Sequence, residues 1–75
     1  MSGRINKLPE TLRKIIKDRN IKQYELAERI GVSYSSLNRW IRDINEPKLY
    51  ELIALSDVLN VSIDYLIFGD EENAE

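Results

Sequence analysis

The sequence predicts an all-α fold of five short helices packed around one core, and three features of the chain predict it. Apolar residues recur at three- and four-residue spacing along the 75 residues, and no stretch alternates apolar with polar as a strand would. Residues that stop or restart helices, namely Asn20, Gly31, Ser33, Asn60 and Ser62, fall between those periodic runs. Hydrophobic residues make up 43% of the chain, with only three Gly and two Pro, a composition that is neither disordered nor dominated by loops.

The first helix is predicted over 8–19, with Leu8, Leu12, Ile15 and Ile16 inward and Pro9 accommodated in the first turn, where no N–H is needed. Asn20 tolerates the left-handed conformation that ends a helix, and Ile21 drops into the core. The second helix is predicted over 23–30 on the stripe Leu26, Ala27 and Ile30. Gly31 then supplies the backbone freedom for a sharp reversal, and Val32 plugs the corner. Ser33 restarts the chain as an N-cap, its hydroxyl accepting from the amide of Ser35 or Ser36. The third helix, 34–42, turns Leu37, Trp40 and Ile41 inward; sharing a face with two aliphatic residues makes Trp40 a core residue. A polar connection over 43–47 leads to Pro47, which is expected to open a fourth helix running to Leu59. Its apolar set is Leu49, Leu52, Ile53, Leu55, Val58 and Leu59. Asn60 is its C-cap. Ser62 caps a short fifth helix in which Ile63, Leu66 and Ile67 point inward or toward a partner, and Gly69 ends it. The expected organisation is a basic N-terminal arm (1–7), a helical domain (8–69) and a disordered acidic tail (70–75).

Composition excludes several classes of function. The chain has no Cys and no His, which removes disulfides, zinc fingers, nearly all transition-metal sites and the usual nucleophile–base pairs of hydrolases. No metal, no cofactor and no enzymatic activity are expected; pairing Asp57 with Asp64 as an acid couple has nothing to place them in a pocket. No apolar run approaches the roughly 20 residues that span a bilayer, and no secretion signal opens the chain, so a cytoplasmic, nucleoid-associated protein is expected. The net charge of −2 hides a strong polarity. All 11 Lys and Arg lie within residues 1–48 beside six acids, a surplus of five positive charges, whereas residues 49–75 hold seven acids and no base. A polyanion responds to the local field of the docking face and not to the sum. Such segregation is equally consistent with two merely solvated faces.

The third helix leaves Tyr34, Ser35, Asn38, Arg39 and Arg42 outward, a set of hydroxyl, amide and guanidinium groups suited to base edges in a DNA major groove. At this point the chain resembles the DNA-binding domain of the Cro and phage-repressor helix-turn-helix family, often called Xre-like. The residues that carry the resemblance are Gln23 with Leu26-Ala27, Gly31-Val32-Ser33, Leu37 and Trp40, Pro47, and the run from Leu59 to Gly69. The resemblance implies a lambda-repressor-like five-helix domain and a sequence-specific transcriptional regulator of phage or bacterial type, a repressor, that reads double-stranded operator DNA with helix 34–42. Base contacts then fall to Ser33, Tyr34, Ser35, Asn38 and Arg39, with Arg39 suited to a bidentate contact to guanine. Phosphate contacts fall to Lys22, Gln23, Arg42, Asn45, Lys48 and, more weakly, Arg13. The family glutamine at Gln23 is expected both to bond a phosphate and to brace the first residue of the recognition helix.

Competing readings stand beside these. Arg39 has Asp43 four residues on as an ion-pair partner, Tyr34 is as well suited to packing on the second helix, and Asn38 sits far round the helix for a base contact. Two departures from the family pattern also matter. An Arg and a Glu that often pair between the first and third helices are both isoleucine here, Ile16 and Ile41, which are expected to touch. After the third helix, where a Gly and basic residues are common, stand Asp43, Ile44 and Glu46, so either affinity is expected to be lower or contacts to shift toward Arg4 and Lys7. An inverted-repeat operator implies a weak homodimer, for which Tyr65, Ile67 and Phe68 are the candidate interface; the alternative is a monomer with Phe68 folded onto the fourth helix. With no sensor domain after the fifth helix, the chain reads as a small Cro-like regulator or a DNA-binding piece of a longer repressor. The alternative function is a protein-interaction module that binds a toxin, an antirepressor or the transcription machinery.

Overall fold

A computed structural model describes residues 6–69, and five α-helices account for its regular structure. They are α1 (Leu8–Arg19), α2 (Gln23–Ile30), α3 (Tyr34–Ile41), α4 (Leu49–Leu59) and α5 (Ile63–Phe68). The helix α1 packs on α3 and α5, α2 packs on α3 and α4, and α4 packs on α5. Five leucines are fully buried, and each comes from a different helix: Leu12, Leu26, Leu37, Leu55 and Leu66. At about 1.5–3 kcal/mol for each buried side chain of this size, that quintet is a large part of what the domain can gain from burial. Trp40 and Ile41 join it as expected, and Ile16, Ile21, Ile30, Val32, Val58 and Val61 pack against it half-buried. Ile41 lies within the core and Ile16 packs against it half-buried.

The first four helices end in the same way. Asn20, Gly31, Asp43 and Asn60 all take the left-handed conformation, with φ of 56°, 91°, 63° and 58°. In each case the next residue sends its N–H back to a carbonyl five residues earlier: Ile21 to Ile16, Val32 to Ala27, Ile44 to Arg39 and Val61 to Ser56. This bond satisfies a carbonyl the helix leaves open, and the apolar residue that makes it usually folds onto the helix. Ile21, Val32 and Val61 do so; Ile44 is instead 56% exposed.

Two charged side chains of α1 complete the ends of other helices. The Nη1 of Arg13 donates to the Ile41 carbonyl at 2.6 Å, and that of Arg19 donates to the Leu59 carbonyl at 2.7 Å. A cation at a helix C-terminus is favoured by the dipole as well as by the bond. The start of α1 is tied to α5, with the Lys7 N–H donating to the Ile67 carbonyl.

The structure corrects the expected fourth helix and the length of the third. Pro47 does not open α4; Lys48 is its N-cap, in an extended conformation, because the Glu51 carboxylate accepts from the Lys48 N–H at 2.7 Å and so sets the first turn. Leu49 and Ile53 are not inward: they are 71% and 50% exposed. The α4 sequence has more apolar residues than one face holds, and the face that meets α2 and α5 is the one bearing Leu52, Leu55, Val58 and Leu59. Helix α3 ends at Ile41, with Arg42 as its C-cap, one residue short of expectation. Residues 1–5 and 70–75, which include Arg4 and the expected acidic tail, lie outside the described residues.

Candidate nucleic-acid interface

The turn between α2 and α3 sets the geometry of the outward face. Gly31 takes φ 91°, where its ideal Cβ would meet open space, so glycine is required there by backbone conformation and not by crowding. Ser33 then caps α3, its hydroxyl accepting from the Ser36 N–H at 3.0 Å. With Leu37, Trp40 and Ile41 buried beneath, α3 is fastened along its inner side and its outer side is left to solvent.

That outer side carries most of the expected base-contact residues. Ser33, Ser35 and Arg39 are exposed, and Tyr34 is 53% exposed. No hydrogen bond or ion pair among the described residues engages the Arg39 side chain. Its guanidinium is thus available for a planar, bidentate contact.

Asn38 is placed differently. It is half-buried, and its Nδ2 donates to Oε1 of Gln23 in the first turn of α2 at 3.4 Å. Gln23 therefore braces α3, but at Asn38, one helical turn past the first residue, where the brace was expected. Beside it, Lys22 is the N-cap of α2 and makes no side-chain cap, so the first N–H groups of the helix are open to an external acceptor. Tyr24, in the same turn, is 60% exposed. Sequence reasoning passed over it, although its place outside the Leu26, Ala27 and Ile30 stripe marks it as a surface residue.

The expected phosphate-binding residues outside α2 divide into two groups. Arg42, Asn45 and Lys48 are exposed on the segment from the end of α3 to the start of α4. Arg13 has its guanidinium on the end of α3 instead. Asp43 and Glu46 share the loop with the first group and bring negative charge to it, and the Glu46 carboxylate accepts from the Asn6 amide at 3.4 Å.

Of the candidate interface residues on α5, Phe68 is 53% exposed, Tyr65 is half-buried against the core and Ile67 is half-buried. With Leu49, Tyr50 and Ile53 of α4, Phe68 adds to an exposed apolar population on the two helices farthest along the chain from the turn. Among the described residues no helix is long and apolar enough to cross a membrane.

Comparison with known proteins agrees with this architecture. The chain is 39% identical to the repressor protein C2 of Salmonella phage P22 over 61 residues, which is 81% of this chain and 28% of C2. It is also 43% identical over 58 residues to the type II methyltransferase M.Sau96I of Staphylococcus aureus, a match to 76% of this chain but only 14% of that enzyme. Among solved structures, the P22 c2 repressor protein in complex with a synthetic operator is similar with a TM-score of 0.78 and 38% identity, covering 84% of this chain and 96% of that one. The chain spans 28% to 53% of the length of the first curated relatives it matches. The helix-turn-helix family model HTH_3 matches residues 12–66, and the chain belongs to that family.

Proposed function

We propose that this chain is a sequence-specific, double-stranded-DNA-binding module of a transcriptional repressor, which lays the outer side of α3 in the major groove. The observation that carries the reading is the pairing of a helix fastened on its inner side by Leu37, Trp40 and Ile41 with an outer side of exposed Ser33, Tyr34, Ser35 and Arg39. The likeness to the P22 c2 repressor, solved with an operator, supports it at domain level. Arg39 reads guanine, and Ser33, Tyr34 and Ser35 make the neighbouring base contacts. Lys22, Gln23 and the first N–H groups of α2 hold one phosphate, and Arg42, Asn45 and Lys48 hold the backbone on the other side of α3.

The operator is an inverted repeat bound by a weak homodimer, which sets recognition helices about 34 Å apart. Phe68 is the central contact of that dimer, supported by its exposure beside a half-buried Ile67. The domain itself carries no catalytic residue in this reading, and it acts in the cytoplasm on the nucleoid.

The test is fluorescence anisotropy of a labelled random-sequence duplex titrated with the protein across a salt series. Binding through about four to six phosphates predicts a log–log slope of roughly −4 to −5. Absence of binding at low salt, or affinity that ignores salt, would contradict the reading.

A further inference from the structure

We infer that Asn38 is a positioning residue that fixes the polarity of the Gln23 side chain, and not itself a base reader. The inference rests on the DNA-binding reading above and deepens it. A carboxamide has an acceptor lobe and a donor lobe on opposite edges. Asn38 donates to the Gln23 oxygen, so the acceptor lobe of Gln23 faces α3 and its NH2 group faces away from that contact. The first turn of α2 also offers open backbone N–H groups and the Lys22 ammonium, with Glu25 as its one acid. A phosphate only accepts hydrogen bonds, so this polarity adds the Gln23 NH2 to those donors, which matters the more because Glu25 brings negative charge to the same turn. The reverse polarity would aim a carbonyl oxygen at the phosphate.

The half-burial of both side chains supports this role. An Asn that reads adenine needs its donor and its acceptor turned together toward the base edge, whereas the Nδ2 of Asn38 is engaged toward α2. Tyr34, one turn earlier on the same side of α3, has no amide with which to hold Gln23. Asn38 supplies that hold from one turn further along.

The experiment compares wild type, Asn38→Ala, Asn38→Asp, Gln23→Ala and the Gln23→Ala/Asn38→Ala double variant. The probes are a duplex recovered by wild type from a random-sequence pool and its derivatives carrying one neutral methylphosphonate at each backbone position. Asn38→Ala is expected to lower affinity by about 2- to 10-fold with the recovered base preferences unchanged. Asn38→Asp is expected to lose more, because a carboxylate accepts from the Gln23 NH2 and turns it away from the phosphate. The double variant is expected to bind no worse than Gln23→Ala alone, and the methylphosphonate that weakens wild type most is expected to have a smaller effect on Asn38→Ala. Relaxed preference at one base pair in Asn38→Ala, or additive losses in the double variant, would overturn the inference while leaving the DNA-binding reading intact. A wild-type protein that recovers no duplex would overturn both.

Discussion

Replacing Arg13 with Met removes a guanidinium from the end of α3 while keeping an unbranched apolar stem on α1. The Arg13 Nη1 lies 2.6 Å from the Ile41 carbonyl, one of the acceptors that the last turn of α3 leaves open. A charge-assisted bond is worth about 1.5–3 kcal/mol when well shielded, and a cation at a helix C-terminus about 0.3–1 kcal/mol. Arg13 is an exposed residue, so both terms are screened and the sum belongs near the lower end, about 1 kcal/mol. In a domain of this size that lowers Tm by about 4–8 °C. Arg13→Lys should recover little, since the compact ammonium lacks the planar fork that reaches the carbonyl. The assay is thermal unfolding followed by far-ultraviolet circular dichroism, run beside the salt series with DNA. An unchanged Tm together with a salt slope smaller by about 0.9 would refute the capping role and return Arg13 to the phosphate contacts.

Three further outcomes are expected. Ile41→Glu places an unpaired charge at a site only 6% exposed and should cost at least about 3 kcal/mol; Ile16→Arg added to it should recover part of that loss, and denaturant melts in which the two changes simply add would show that the positions are uncoupled. Asn60→Ala should cost about 1 kcal/mol because φ is 58° there, whereas Asn60→Gly should be close to neutral; equal losses in chemical unfolding would contradict the left-handed cap. Phe68→Glu should abolish dimer in sedimentation equilibrium without loss of helicity, and a dimer that persists would move the interface elsewhere.

What the sequence shows about this fold is mostly what is local. Asn20, Gly31 and Asn60 act within a few bonds of where they stand, as do the caps Ser33 and Ser62, and all five behave as their residue types predict. Helix α4 was harder because apolar residues surround it, and only the positions of α2 and α5 decide that Leu55 is buried while Leu49 is not. Its start was also local, yet missed, because Pro47 is a more conspicuous signal than Glu51 three residues beyond Lys48. The bonds from Arg13 to Ile41 and from Arg19 to Leu59 span 28 and 40 residues and leave no trace in any window of sequence. The same holds for the candidate interface: exposure of Arg39 and Tyr34 follows from helical periodicity, whereas the Gln23–Asn38 contact depends on how α2 crosses α3.

The central claim is that the outer side of α3 reads base sequence, with Arg39 as its main reader. The most direct measurement is enrichment of bound duplexes from a random-sequence pool at near-physiological salt, for the wild-type protein and for Arg39→Ala. The account predicts an inverted repeat from wild type and, in the variant, a relaxed preference at one symmetric base pair. An identical motif from both proteins would contradict the role of Arg39, and enrichment of nothing by wild type would contradict sequence reading by this chain.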